Sequence, residues 1–263
     1  MIRVGIGGWT FEPWRDNFYP AGLPQKRELE YAGSKLTSIE INGTYYGSQK
    51  PESFRKWAEE TPDDFVFALK GPRFATNRRV LAEAGESIAR FFASGVTELG
   101  PKLGPINWQF MATKKFDADD FAGFLELLPK TVDGMSIRHA VEVRHESFQT
   151  PEFIALARRY GVAVIVADSD THPQIADPTA DFVYARLQNA SETEKNGYPD
   201  SALNDWRERA ERWADGGVPA DLPLLADAPT GAGKRDVFIY MINGFKPKAP
   251  FAAMALIEQI RSR

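Results

Sequence analysis

The chain has 263 residues, of which 43% are hydrophobic and 26% charged, and its formal net charge is −4. It contains no cysteine, which excludes disulfides, thiolate metal sites and cysteine nucleophiles, and its three histidines disfavour a multi-histidine zinc site. The negative charge gives no overall attraction to nucleic acid, and no apolar run approaches a membrane span, so we expect a cytoplasmic protein that binds any anion locally.

Eight β-rich runs follow one another along the chain, and helical patterns fill most of the gaps between them. The strands are predicted at 3–6, 37–41, 65–69, 106–110, from residue 140, and at 162–167, 182–187 and 237–242. Helices are predicted at 28–32, 51–60, 87–92, after an N-cap at Asp117, and at 151–160, 203–215 and 251–260. Segment 169–181 has two prolines and no helical period, so we expect no full helix there.

This alternation of strand and helix predicts a TIM-like (β/α)8 barrel of the α/β class, formed by a single domain over residues 1–263. The helix between strands six and seven is expected to be reduced. The alternative is an open, doubly wound sheet, which has the same local signals.

The fifth strand carries opposite charges on one face. Two valines point to one side of this strand, so Glu142 and Arg144 share the other. Burial of two charges on a short apolar strand is costly unless each has a partner or the face lines a wet site. The second strand repeats the pattern with Glu40 and Asn42.

Polar residues end most of the predicted strands, and in a barrel these ends meet at one mouth. One interpretation is a salt-bridge layer that only caps the core. We favour a functional site, because barrel enzymes keep their chemistry at the carboxyl ends of the strands. The residues expected to converge there are Glu40, Asn42, Lys70, Gln109, Glu142, Arg144, His145, Asp168, Arg186 and Asn243.

Two loops have unusual compositions. The loop after the first strand contains aromatic residues that either form a sugar-stacking wall or plug the barrel mouth, and packing is the favoured interpretation. These aromatic residues are Trp9, Phe11, Trp14, Phe18 and Tyr19. The loop after the third strand carries Arg73, Arg78 and Arg79 and is either a solvated loop or a clamp for phosphate or carboxylate.

No glycine-rich stretch matches a nucleotide-binding motif. Gly7 and Gly8 permit a tight turn but lack the spacing of a dinucleotide fingerprint. Segment 229–234 reads P-T-G-A-G-K, has Ala228 in place of the first P-loop glycine, and precedes a strand. We therefore expect no nucleotide cofactor, assign no metal ligand, and leave a divalent metal held by carboxylates open.

With these strand ends aligned, the chain resembles the YecE-like family, also called domain of unknown function 72. The matching segments extend over nearly the whole chain, and the family implies a TIM-like barrel. They read I-G-G-W-T-F-E-P-W-R-D-N-F-Y-P, S-I-E-I-N-G-T-Y-Y, F-V-F-A-L-K-G-P-R-F-A-T-N, L-G-P-I-N-W-Q-F, A-V-E-V-R-H-E-S-F, Y-A-R-L and I-N-G.

The chain departs from the family pattern at two strand ends. The family usually has Thr-His after the third strand, where this chain has Thr76 and Asn77. It often has His-Gly after the seventh strand, where this chain has Gln188 and Asn189. These differences weaken any histidine-based role carried over from relatives.

The leading hypothesis is a hydrolase, lyase or isomerase that acts on an anionic sugar or sugar phosphate, without a cofactor or with a divalent metal. Glu142 and Glu40 would share general acid/base work, one with a raised pKa and the other held ionised, and His145 could shuttle a proton. Cationic and polar side chains would bind the substrate. These predicted binding residues are Lys70, Arg144, Arg186, Asn42, Gln109, Asp168, Asn243 and Trp9.

The alternative hypothesis is a non-catalytic or nuclease-like protein that binds nucleic acid or a small anion. It uses the same basic residues and the aromatic loop but needs no acid/base pair. The overall acidity disfavours a large nucleic-acid footprint, so a small anionic substrate is the expected partner. We predict no membrane partner, and the sequence indicates no oligomeric state.

Overall fold

A computed structural model describes residues 1–229 and 233–262 of the chain. Residues 230–232, in the segment compared with a P-loop, lie outside this part. The described strands are β1 (Ile2–Gly7), β2 (Ser38–Ile41), β3 (Val66–Lys70), β4 (Leu103–Gln109), β5 (Thr131–Val132), β6 (Met135–Ser136), β7 (His139–Glu142), β8 (Ala163–Val164), β9 (Val166–Asp168), β10 (Phe182–Leu187) and β11 (Asp236–Met241). The helices are α1 (Glu28–Lys35), α2 (Gly43–Tyr46), α3 (Pro51–Glu59), α4 (Arg73–Thr76), α5 (Gly85–Ala93), α6 (Ala118–Glu126), α7 (Pro151–Tyr160), α8 (Asp200–Ala214) and α9 (Ala249–Arg261).

Nine of these strands form one parallel sheet in the order β8-β7-β4-β3-β2-β1-β11-β10-β9. The two ends of the sheet, β8 and β9, are consecutive in the chain and are separated only by Ile165. The sheet is therefore a nearly closed barrel. The predicted TIM-like fold is confirmed, and the open doubly wound alternative is wrong.

The sixth predicted strand, 162–167, is interrupted rather than continuous. Its first half pairs with β7 and its second half with β10, so the chain changes partner at Ile165. Thr179 bridges the first half: its hydroxyl accepts a hydrogen bond from the Val164 N–H at 2.9 Å and donates to the Val162 carbonyl at 2.7 Å. Segment 169–181 contains no helix, as predicted.

The barrel strands are apolar on both faces, as buried parallel strands are. Outward residues such as Val4 and Ile39 pack in the layer between sheet and helices. Inside the barrel, Phe182 and Phe238 pack edge to face at 6.1 Å between ring centroids. They close the amino-terminal end, where Arg138 lies 5.0 Å from the ring centroid of Phe238. Polar residues are thereby left for the opposite end.

Helix termini follow the signals in the sequence. The Asp117 carboxylate accepts a hydrogen bond from the Asp120 N–H at 2.9 Å, which confirms the predicted N-cap of α6. Gly161 ends α7 with φ of 65°, a left-handed conformation that glycine adopts without strain.

One-turn helices, α2 and α4, follow β2 and β3 at the mouth, where no helix was predicted. A single turn is too short to show a hydrophobic period, so neither helix has a periodic signal in the sequence.

Candidate functional site

Three buried charged side chains meet inside the carboxyl end of the barrel. Glu40, Glu142 and Arg186 come from β2, β7 and β10 and are 0%, 1% and 2% exposed. One terminal nitrogen of Arg186 donates to Glu142, and the other donates to Glu40 Oε1 at 3.0 Å. We call these three residues the charge layer. Its guanidinium compensates two carboxylates whose burial alone would be very costly.

Two uncharged residues complete the partners of Glu40. Its Oε2 accepts hydrogen bonds from the Tyr184 hydroxyl at 2.5 Å and from Asn107 Nδ2 at 3.1 Å. Neither residue was among the predicted site residues. Strand alternation could have identified both, because Asn107 lies two residues before Gln109 and Tyr184 two before Arg186.

Glu142 is held as a carboxylate. Its Oε1 accepts from Arg144 Nε at 2.7 Å, so the two residues predicted to share a face are hydrogen-bonded to each other, although β7 ends at Glu142. Burial favours the neutral acid, but the charges of Arg186, Arg144 and Lys70 outweigh it and lower the pKa of Glu142 to about 2. Glu142 therefore corresponds to the ionised member of the predicted carboxylate pair.

Lys70, the last residue of β3, has a pKa that is displaced toward neutral pH. Its Nζ donates to Gln109 Oε1 at 2.5 Å and lies 4.5 Å from the ring centroid of Tyr45. Burial and the charge of Arg186, opposed by the two carboxylates, together lower the pKa of Lys70 to about 8. No salt bridge to Lys70 is present within the described ranges.

Gln109 links Lys70 to the charge layer. Its Oε1 accepts from Lys70 and also from Arg186 Nη1 at 3.3 Å. The group linked by these contacts holds three cations, Lys70, Arg144 and Arg186, against the two carboxylates of the charge layer. Arg144 is the most accessible of the three, with 20% of its side chain exposed.

The remaining predicted residues at the strand ends lie around the charge layer without a hydrogen bond to it in the described part of the chain. His145 Nδ1 accepts from the Ser147 N–H at 3.1 Å, which orients the ring by a local turn. Asn243 Nδ2 donates to Gln188 at 3.2 Å. Burial raises the pKa of Asp168 at the end of β9.

His172, in the loop after β9, was not predicted as a site residue. Burial and the positive charge of Arg144 lower its pKa. In the part of the chain that the structure describes, its buried Nδ1 has no hydrogen-bond partner. A loop position without periodicity gives no sequence signal for this environment.

A cleft of about 350 Å³ lies beside the ends of β1 and β2. We call it the aromatic cleft; its main side chains are Trp9, Phe11, Asn42, Gln49, Trp57 and Lys246. The rings of Trp9 and Trp57 pack edge to face at 5.2 Å.

The aromatic loop thus divides into two groups. Trp14, Phe18 and Tyr19 are buried, and the ring of Phe18 packs against Tyr31 of α1 and Phe251 of α9. These three residues pack against helices, whereas Trp9 and Phe11 line the cleft.

A basic rim with exposed aromatic rings lies on α2 and α4. Tyr46 and Phe74 are 65% and 60% exposed, and the Arg73 guanidinium lies 5.9 Å and 5.5 Å from their ring centroids. Within the described ranges, Arg73 forms no salt bridge with the carboxylates of the charge layer.

Among residues 1–229 and 233–262, no group of three or more histidine, aspartate or glutamate side chains is arranged to hold a metal ion. The same residues include no helix that is both long and apolar enough to cross a membrane.

Sequence comparisons connect the chain with proteins of one family. The family model described as "Protein of unknown function DUF72" matches residues 3–263. The UPF0759 protein YecE of Escherichia coli K12 is 28% identical over 151 residues, 56% of this chain and 50% of YecE. The UPF0759 protein YunF of Bacillus subtilis is 30% identical over 70 residues, 27% of this chain and 24% of YunF. The chain thus spans half or less of the length of these curated relatives.

Solved structures share the fold. A DUF72 family protein from Thermotoga maritima superposes with a TM-score of 0.75 at 22% identity and covers 99% of each chain. A DUF72 family protein from Enterococcus faecalis gives a TM-score of 0.74 at 15% identity, over 99% of this chain and 95% of the other. A xylose isomerase-like TIM barrel/4-hydroxyphenylpyruvate dioxygenase fusion protein gives 0.51 at 15% identity, over 100% of this chain and 44% of the other.

Proposed function

Because the chain belongs to the DUF72 family, as its motifs predicted, and folds as a TIM barrel, we propose that it is an enzyme whose barrel mouth binds an anionic sugar or sugar phosphate. The observation that supports this most strongly is the buried ammonium of Lys70, which has no carboxylate partner within the residues described. A buried ammonium with an incomplete set of partners is stabilised by a bound anion.

The two carboxylates serve to position rather than to transfer protons in this proposal. Both oxygens of Glu40 and both of Glu142 already accept hydrogen bonds. They fix the guanidinium of Arg186, and Arg186 helps to fix Gln109, the partner of Lys70. Arg186, predicted to hold the anion, is thereby assigned to the support of the site.

Lys70 is the proton-transfer group of the proposal, and Arg144, the most accessible cation at the mouth, faces the substrate beside it. An amine with a pKa of about 8 exchanges protons readily near neutral pH, whereas a carboxylate with a pKa of about 2 is a weak base. As an ammonium, Lys70 binds a substrate oxygen and can pass its proton to that oxygen as negative charge develops there, as in the enolisation of a carbonyl group. A lyase or isomerase therefore fits this site better than a hydrolase that requires a protonated carboxyl group.

The basic rim supports a second candidate function, the binding of single-stranded nucleic acid. Exposed Tyr46 and Phe74 offer stacking surfaces, and Arg73 offers a cation beside them. This function would use the rim and would not require Lys70.

Thermal-shift titration separates the two candidates, because a ligand that binds only the folded state raises the melting temperature. Wild type and Lys70→Gln are titrated with sugar phosphates, inorganic phosphate, single-stranded DNA and RNA at low and high salt. Lys35→Gln is the control, since Lys35 lies 5.5 Å from the Tyr31 ring centroid on α1.

If the protein is the proposed enzyme, a sugar phosphate should raise the melting temperature of wild type in a saturable way. Lys35→Gln should show the same rise, and Lys70→Gln should not. A shift with nucleic acid alone, abolished by salt and unaffected by Lys70→Gln, would contradict the enzyme proposal and support the second candidate.

A further inference from the structure

We propose that the aromatic cleft is a second subsite, which holds a sugar ring that carries an anionic group. The inference rests on the proposed function, because it assigns the ring of the same substrate to a place beside the mouth. Three features of the cleft support this assignment: its volume, the ammonium of Lys246, and the side-chain amides of Asn42 and Gln49.

The cleft has room for one ring and a wall suited to it. Its volume of about 350 Å³ lies at the lower end of the range of small-molecule pockets. Trp9 and Trp57 are half-buried and provide apolar ring surface. A Cβ added at Gly8 would meet no atom within 4 Å, so the bare backbone there leaves the space open.

Lys246 supplies the positive charge of the cleft. Its Nζ lies 4.5 Å from the ring centroid of Phe11 and 5.4 Å from that of Trp14. Within 1–229 and 233–262 it forms no salt bridge, and its half-buried position lowers its pKa. An ammonium that faces rings on one side keeps donors for an anionic oxygen on the other.

Asn42 and Gln49 supply neutral polar groups. Both line the cleft, and neither side-chain amide forms a hydrogen bond in the part of the chain that the structure describes. An amide donates and accepts, as a sugar hydroxyl does. Aromatic walls, free amides and one cation together fit a sugar with an anionic substituent better than an apolar ligand or a bare anion.

The position of Asn42 connects the cleft to the mouth. It follows Glu40 by two residues at the end of β2, and its Nδ2 lies 2.8 Å from where a Cβ on Gly7 would stand. Helix α2 separates the cleft from Lys70, since Gly43 lines the cleft and the Tyr45 ring centroid lies 4.5 Å from Lys70 Nζ, so the proposed substrate has its ring in the cleft and its reacting group across α2.

Calorimetric titration with glucose 6-phosphate, glucose and inorganic phosphate tests the subsite. Lys246→Gln removes the cation, and Lys35→Gln removes a matched cation above a ring on α1. Gly43→Leu fills the cleft without backbone strain, since a Cβ there meets only the Gln49 amide, at 3.6 Å. Gly85→Leu is its control, at another helix start where a Cβ meets only a Leu127 methyl, at 3.6 Å.

We expect wild type to bind glucose 6-phosphate more tightly than glucose or phosphate. Lys246→Gln should lower the affinity for glucose 6-phosphate by roughly tenfold or more, the value of a charge-assisted hydrogen bond, and leave that for glucose unchanged. Gly43→Leu should weaken both sugars, whereas both control variants should bind as wild type does.

Unchanged affinity in both Lys246→Gln and Gly43→Leu would overturn the subsite. If Lys70→Gln then abolished binding of glucose 6-phosphate, the proposed mouth would stand without the cleft. If the cleft variants abolished binding and Lys70→Gln did not, the subsite would stand and the proposed mouth chemistry would fail. Absence of binding of all three compounds at millimolar concentration would overturn the subsite.

Discussion

Arg186 determines whether the charge layer can exist, because it is the residue that joins Glu40 to Glu142. Its side chain is 2% exposed, and both terminal nitrogens bind carboxylate oxygen. Removal of one partner from a buried ionic group leaves uncompensated charge in a low-dielectric interior. The stability of the barrel mouth should therefore depend on this residue far more than on any exposed ion pair.

We predict that Arg186→Met lowers the free energy of unfolding by about 3–5 kcal/mol. Arg27→Met is the control: Arg27 pairs with Glu30 at 2.8 Å, but both side chains are more than half exposed, so a much smaller loss is expected. Urea denaturation measures both values. Equal losses in the two variants would show that the buried pairing has no special importance.

Lys70 should give the protein an unusual dependence of stability on alkaline pH. Burial lowers its pKa to about 8 from 10.5, so between these values the unfolded chain holds a proton that the folded chain has lost. Stability contributed by this group therefore rises with pH in that window and is flat below it.

The unfolding free energy of wild type should rise between pH 8 and about 9.5 relative to Lys70→Met, by about 1.4 kcal/mol per pH unit at most. Tyrosines of the unfolded chain ionise above this range, so the window stops there. Denaturant titrations at several pH values measure the difference, and Lys35→Met should follow wild type. Parallel curves for wild type and Lys70→Met would contradict the lowered pKa.

At the scale of single residues, the sequence was informative where strand alternation applied. It identified Glu40, Glu142 and Arg186 as residues of the barrel mouth, and the structure brings these three together. It did not identify which oxygen each donor would reach. The pKa values of Glu142 and Lys70 depend on distances between charges that lie on four strands. No local pattern in the sequence specifies those distances.

At the scale of elements, the sixth strand is the seam at which the barrel closes. Thr179, from the helix-free crossover, satisfies the Val164 N–H and the Val162 carbonyl there. The Thr179 side chain thus makes hydrogen bonds that a neighbouring strand makes elsewhere in the sheet. Local opening should therefore begin at this seam when the hydroxyl is removed.

Thr179→Val should lower the unfolding free energy by about 1–3 kcal/mol, because it leaves buried backbone groups unpaired. It should also accelerate hydrogen exchange at the Val164 amide. Thr97→Val is the control, since its hydroxyl bonds Asp133 at an exposed site. Unchanged exchange at Val164 would contradict the role of Thr179.

Long periodic elements were predicted well, and short or interrupted ones were not. The helix at α7 matches its predicted range, 151–160, because a proline, an apolar period and a terminal glycine agree. The break at Ile165 was missed because six apolar residues give the same pattern whether they pair with one neighbour or with two. Pairing partners are a property of the closed sheet.

At the scale of the whole molecule, the local charge beside the charge layer has the opposite sign to the net charge of the chain. The chain carries a formal charge of −4, yet the hydrogen-bonded group around the charge layer holds three cations, Lys70, Arg144 and Arg186, against two carboxylates. A local positive site in an acidic protein favours small anions over long polyanions, because surrounding negative charge repels the latter. This contrast is the reason for ranking a small substrate above nucleic acid.

The most direct test is the affinity for a sugar phosphate, measured by calorimetry between pH 7.5 and about 9.5, where the phosphate keeps its charge. For wild type, we predict that the affinity for the sugar phosphate falls as the pH rises through about 8, where Lys70 loses its proton. Lys70→Arg, which keeps its charge, should hold its affinity throughout. A flat profile for wild type, or the same fall in both proteins, would contradict the assignment of Lys70 to the binding site.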